Sequence, residues 1–219
     1  LRLVVTEPRP WEIGDHEARW AGYLLAPGSP VLRNKVGATT SDELRAAEND
    51  LLEFRLTELR SQPRLVSRTY DLTHLQHLHF QLFQDIYEWA GDLRTVGIAK
   101  GDGDDTSFVP PLEIERPVAH VETRIADSHL LREVGPEALV NEVTYLYDYV
   151  NFAHPFREGN GRTQREFFAQ LLAESGHGLD WSKVDMDGLH SACHVARADG
   201  DSSKLRSMIA VALTDDPVY

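Results

Sequence analysis

The chain has 219 residues and a net charge of −13, with 42% hydrophobic and 26% charged residues. That balance can form a sizeable core within a single domain, residues 1–219, and the acidity disfavours nucleic acid and anionic membranes as partners. One cysteine, Cys193, excludes an internal disulfide and fits a cytoplasmic location, and no apolar run approaches the ~20 residues of a spanning helix.

The opening LRLVVTEPRPW lacks the basic start and long apolar stretch of a secretory leader, and residues 1–16 read as Pro-rich and irregular. Thr40 and Glu43 form a T-x-x-E capping box, which predicts a helix to about Arg60. Asp71 caps a second helix, in which Leu72, Leu75, Leu78, Leu82, Phe83, Ile86 and Trp89 recur at helical spacing until Gly91. In residues 94–110 two β-prone runs, TVGIA and SFV, flank a Gly/Asp-rich centre and predict a hairpin. Helical patterns resume at about 113–132 and 137–152, with two or three more between 162 and 214. The fold class is therefore all-α, a helical bundle with one β-hairpin.

Chemistry concentrates in HPFREGNGRTQR, residues 154–165. Pro155 ends the preceding helix at His154. Gly159, Asn160 and Gly161 tolerate open backbone geometry, and directly before a helix their N–H groups can converge on an anion. Arg162 and Arg165, three apart on one helix face, suit a polyphosphate. Glu158 offers a hard oxygen to a phosphate-bound Mg²⁺. His154 titrates near neutrality and is the natural general base. Phe156, apolar among polar neighbours, anchors this nucleotide-binding loop in the core. Any one of these features alone is more often a turn or a cap; twelve residues holding all of them point to a nucleotide-phosphate site.

HPFREGNGRTQR resembles the Fic signature HPFx[D/E]GNGRxxR at every defined position, and the likeness extends from VLRNKVG at 31 through LFQDIYEWAGDLRTVGIAK to HSACHVARA near 198. The chain looks like the stand-alone Fic proteins of actinobacteria. The resemblance implies a Fic-type helical bundle that transfers AMP from ATP, with Mg²⁺, to a hydroxyl on a target protein. His154 would be the base and Glu158 would hold Mg²⁺. Gly159, Asn160 and Gly161 would cradle the phosphates, Arg162 would reach the β-phosphate, and Arg165 would reach the γ-phosphate. Glycine rather than lysine at 161 favours AMP transfer over the phosphate transfer of Doc-type relatives. The 94–110 hairpin would be the flap on which the protein substrate docks, with Lys100 near the active site, although a solvated turn lysine is an equal reading.

Many Fic proteins carry an inhibitory [S/T]xxxE[G/N] helix whose glutamate pairs with the second arginine, here Arg165. Glu48-Asn49 gives the EN ending, but Leu44 stands where Ser or Thr is required; Thr39 and Glu43 have the spacing, but Leu44 follows. Glu43 and Glu48 therefore read as a solvated helix face. The chain resembles the class whose inhibitory helix comes from a separate small antitoxin, in which some toxins modify the ATPase subunits of DNA gyrase and topoisomerase IV. Alternatives are a nucleotide-binding module without turnover, or transfer of another phosphate-containing group. His190, Cys193 and His194 read as core and surface residues rather than metal ligands. In the cluster His74, His77 and His79, the first two share a helix face. Trp89, Tyr145, Tyr149 and Phe152 read as core; Asp180 and Trp181, just past the motif helix, could edge an adenine pocket, with packing the safer reading.

Overall fold

The computed structural model describes residues 7–98 and 108–217. After a short 3₁₀ turn at Pro10–Glu12 come α1 (His16–Gly22), α2 (Ser41–Ser61) and α3 (Leu72–Phe83). Then follow α4 (Glu115–Asp127), α5 (Pro136–Ala153), α6 (Asn160–Glu174), α7 (Met186–Ala198) and α8 (Ser203–Ala212). A two-residue strand, β1 (Gly178–Leu179), pairs antiparallel with β2 (Leu213–Thr214), matching Gly178 to Thr214 and Leu179 to Leu213. The all-α class therefore holds. No helix among the described residues is long and apolar enough to cross a membrane.

Local chemistry sets the helix boundaries. The capping box forms as expected: Glu43 N–H donates to Thr40 Oγ1 at 3.2 Å, and Glu43 Oε2 accepts from Thr40 N–H at 3.1 Å. α5 starts with Pro136, whose missing N–H would have no partner in the first turn anyway. The second predicted helix stops at Phe83 rather than at Trp89. Residues 84–90 form successive turns that still bury Ile86, Tyr87 and Trp89, so an apolar spacing that looks helical continues after the helix has ended. Residues 10–12 and 16 onward are ordered as helical turns within or directly after the segment read as irregular. The expected hairpin centre, residues 99–107, lies outside the described residues, and so does Lys100. Its described flanks, 94–98 and 108–110, carry no strand; the small sheet belongs to β1 and β2.

α6 is the central helix. Phe167, Phe168, Ala169, Leu171 and Leu172 are buried, as are the polar Thr163, Gln164, Glu166 and Gln170. Each buried polar group has a partner, as an interior of low polarity demands. Gln164 Nε2 donates to Tyr147 O at 2.6 Å, Gln170 Nε2 to Glu166 Oε1 at 3.0 Å, and Arg60 reaches Glu166 at 3.2 Å. α3 divides two apolar clusters. Its Leu75 and Leu78 join α4–α8, while its Leu82 and Phe83 join Trp11, Tyr23, Leu44, Tyr87 and Trp89. The motif loop, between α5 and α6, lies where these two clusters meet.

Candidate active site

His154 ends α5 in the left-handed conformation, with φ 40° and ψ 61°. This is an uncommon state for a residue with a Cβ and costs energy that the surroundings must offset. The following Pro155 keeps the chain from continuing as helix. The His154 ring stacks on Phe108, with centroids 3.6 Å apart and planes 13° apart. Behind it, the Arg94 guanidinium donates from Nε to His154 O at 2.7 Å and from Nη2 to Ala153 O at 3.3 Å.

Phe156 is buried and stacks on His79 at 3.9 Å, so its ring anchors the loop and does not face a ligand. His79 is itself fully buried. Its Nδ1 accepts from Gly91 N–H at 2.8 Å, which leaves Nε2–H to donate to Glu158 O at 2.9 Å. Burial pushes the His79 pKa down to about 3, so the ring is neutral. His74 is held likewise at about 4, again by burial. His74 and His79 point inward while His77 is exposed, so 74 and 77 do not share an environment as the spacing suggested.

Gly159 has φ +83°, and a Cβ there would lie 2.5 Å from the Phe83 ring; backbone conformation and space both require glycine. Asn160 is buried and its amide is committed to the loop. Phe156 N–H donates to Asn160 Oδ1 at 2.9 Å, and Asn160 Nδ2 donates to Phe156 O at 2.7 Å. Its side chain therefore braces the loop from within, across residues 156–160. The Glu158 carboxylate is 46% exposed, accepts from Gly159 N–H at 3.1 Å and stands 4.0 Å from Arg162. One oxygen thus remains for a cation shared with a phosphate, the way Mg²⁺ is usually held.

Arg162 and Arg165 line one cleft of about 210 Å³ with Leu52, Leu56, Arg60 and Trp181. Arg162 lies over the Phe83 ring at 5.0 Å and pairs with Glu48 at 2.8 Å. Glu48 also accepts from the Tyr87 hydroxyl. This overturns the solvated reading of Glu48, which is 8% exposed. Glu43 remains exposed, in the capping box. Arg165 makes no ion pair among the described residues; burial lowers its pKa from the usual arginine value, and the nearby Arg162 charge lowers it further. A Cβ on Gly161 would lie 3.3 Å from Arg165 Nη1 and 3.8 Å from His190 Nε2, so any side chain at 161 crowds the second arginine.

Reading the sequence brought out His154, Glu158, Arg162 and Arg165, and the fold gathers all four around one loop. It missed Arg94, His79 and Glu48, which act from other segments, and Phe108, which stacks on the histidine. Trp181, read as packing, lines the cleft, and its Nε1 finds no acceptor among the described residues. Tyr145 is 37% exposed rather than core, with its ring tilted 39° to that of Tyr149 at 4.7 Å.

The fold and loop define a helical protein in which a histidine-bearing, glycine-containing loop joins α5 to the N-terminus of α6. The chain belongs to the Fic/DOC family, whose model matches residues 69–172. It is 32% identical over 191 residues to a probable protein adenylyltransferase Fic of Salmonella typhimurium, covering 87% of this chain and 92% of that one. It is also 32% identical over 189 residues to the protein adenylyltransferase VbhT of Bartonella schoenbuchensis; the match covers 86% of this chain but only 38% of VbhT. Among solved structures, the Bartonella tribocorum BepC protein with bound AMPPNP superimposes with a TM-score of 0.79 at 23% identity, over 91% of this chain and 98% of that one.

Proposed function

We propose that this Fic domain is a protein adenylyltransferase that moves AMP from ATP to a hydroxyl of a target protein. The observation that carries the reading is the loop geometry. A histidine fixed at the end of α5 is joined, through a glycine-bearing loop, to two arginines that share one cleft at the start of α6. His154 takes the proton of the attacking hydroxyl, the hydroxyl oxygen bonds to the α-phosphorus, and the α–β bridging oxygen leaves with pyrophosphate. Such transfers depend mainly on positioning and charge neutralisation. The N-terminal N–H groups of α6 and Arg165 face the phosphates, Arg162 adds charge beside them, and Gly161 leaves the space they need. Glu158 would hold Mg²⁺, which when bound offsets charge on the triphosphate.

Residues 94–110, with Lys100, are proposed as the docking flap for the protein substrate. A separate small antitoxin, supplying a carboxylate to Arg165, is proposed as the regulatory partner, and this would make the chain a toxin. Support comes from Arg165 lacking an acidic partner among the described residues while Arg162 has one. Gyrase and topoisomerase IV ATPase subunits are the proposed targets, on the family likeness alone.

The test is incubation in lysate with α-labelled ATP and Mg²⁺ beside His154→Ala. Labelled protein bands that fall at least about 100-fold in the variant, with its melting temperature unchanged, are expected of a lost general base. Label arriving only from γ-labelled ATP defeats AMP transfer, and binding of ATP without any transfer favours a nucleotide-binding module.

A further inference from the structure

Arg94 is a buried cation with no carboxylate beside it. Its side chain is 2% exposed, and no ion pair involves it among the described residues. Burial brings its pKa down to about 10, so it stays charged near neutral pH. Burying a charge without a counter-ion is costly unless hydrogen bonds satisfy it. Here backbone carbonyls do so. Nε donates to His154 O at 2.7 Å, Nη1 to Val96 O at 2.8 Å, and Nη2 to Val109 O and to Ala153 O at 3.3 Å. Four of the five guanidinium N–H donors are thereby used, in a planar fork that lysine cannot copy.

The carbonyls are not a random set. Ala153 O and His154 O are at the C-terminal end of α5, where helical carbonyls lack partners and the helix dipole is negative, so a cation there is favoured. Val96 and Val109 stand on two separate chain segments, 94–98 and 108–110, each bonded to the end of α5 or the residues just after it. Backbone bonds run parallel to the side-chain ones: Arg94 N–H donates to Pro155 O at 2.9 Å and Val109 N–H to Phe152 O at 3.2 Å. The next residue back, Phe108, covers the face of the His154 imidazole. A left-handed histidine persists only when its surroundings over-determine it. Arg94 bonds the carbonyl of that histidine and also ties in the 108–110 segment that carries its stacking partner.

We propose that Arg94 is a positioning residue for His154: its guanidinium locks the left-handed histidine peptide and seats Phe108 on the imidazole, so that the base is held in place before substrate binds. The proposal rests on the adenylyltransferase reading for its activity readout only.

The test compares Arg94→Met and Arg94→Lys with the wild type. A misplaced base costs turnover, so kcat for AMP transfer should fall about 100-fold in Arg94→Met and about 10-fold in Arg94→Lys, with ATP affinity within about 3-fold of wild type. The ring current of Phe108 should place the His154 Cε1–H resonance upfield in the wild type, assigned by its loss in His154→Gln. That shift should collapse in Arg94→Met and persist in part in Arg94→Lys. Methylguanidinium added to Arg94→Ala should restore part of kcat. If Arg94→Met fails to fold, the Lys variant carries the comparison. The proposal is overturned if kcat and ATP affinity decline together in step with melting temperature, or if both kcat and the His154 resonance are unchanged. A wild type that transfers no AMP sinks the activity reading, while the resonance still tests Arg94.

Discussion

The two ends of the motif loop are held by opposite electrostatic means. At the His154 end a cation, Arg94, sits among backbone carbonyls with no carboxylate near it. At the arginine end a carboxylate, Glu48, offsets Arg162, while Arg165 three residues on keeps its charge. The first arrangement fixes shape, because carbonyls belong to the backbone and cannot move away independently. The second sets charge, because a side-chain carboxylate can exchange its partner for an incoming anion. On the proposed function, the base end is thus built for geometry and the phosphate end for adjustable attraction.

Between the two ends stands Gly159, and replacing it should have the largest effect. Gly159→Ala places a methyl 2.5 Å from the Phe83 ring at a φ of +83°. Overpacking and left-handed strain together should cost about 2–5 kcal/mol. Urea denaturation should show that loss, and AMP transfer should fall with it, because both ends move. A variant of unchanged stability would mean that the loop shifts freely, and that the two ends are not held apart as described.

The arginines sharpen the contrast next. Arg165→Ala should weaken ATP binding roughly 10- to 100-fold, the worth of a charge-assisted contact, with little loss of stability. Stability should hold because removing a buried cation also relieves its desolvation and its repulsion from Arg162. Arg162→Ala should weaken ATP less, since Glu48 already offsets that charge. Equilibrium titration with a fluorescent ATP analogue measures both. If Arg162→Ala proves the more damaging, the phosphate end is organised around the paired arginine instead.

What could be read from the sequence follows the range of the forces involved. α2, α5 and α6 were legible because their signals are local: a capping box, Pro155 just past the end of α5, and apolar spacing within each helix. So was the loop, whose residue types lie within twelve positions. The end of α3 was not, because Ile86, Tyr87 and Trp89 keep an inward spacing in turns. Glu48 looked like solvent-facing surface because its partner, Arg162, lies 114 positions away in sequence. Arg94 and His79 gave no signal either, since each acts on backbone carbonyls, and a carbonyl has no sequence identity.

The histidine behind the loop allows a pH test of the middle of the comparison. His79, bonded to Glu158 O, and His74, bonded to Gln170, are neutral in the fold, with pKa values of about 3 and about 4 against 6.5 unfolded. The unfolded chain therefore binds more protons below pH 6.5. Stability is fully present above that pH and is lost as pH falls toward 4. Each histidine should contribute about 1.4 kcal/mol per pH unit in that window. Chemical denaturation at pH 6.5, 5.5 and 4.5 should show this slope, and His74→Gln should remove about half of it. A slope unaltered by that substitution would place the acid sensitivity elsewhere.

The smallest expected effect is the most discriminating for the phosphate end. Glu48→Gln keeps the shape and a hydrogen-bond acceptor for Arg162, so the fold should survive. It removes one negative charge beside a site for a polyanion. At a separation of one Debye length, about 8 Å at physiological salt, a unit charge in a partly solvated setting is worth on the order of 0.5–1 kcal/mol, which predicts ATP binding tighter by roughly 2- to 5-fold. The gain should shrink as salt rises, because screening weakens the same repulsion, and it should be absent in Glu48→Gln combined with Arg162→Ala if it acts through that arginine. Weaker binding in the single variant would show that Glu48 serves Arg162 as Arg94 serves His154, by fixing its position. The two ends of the loop would then work by the same principle and not by opposite ones.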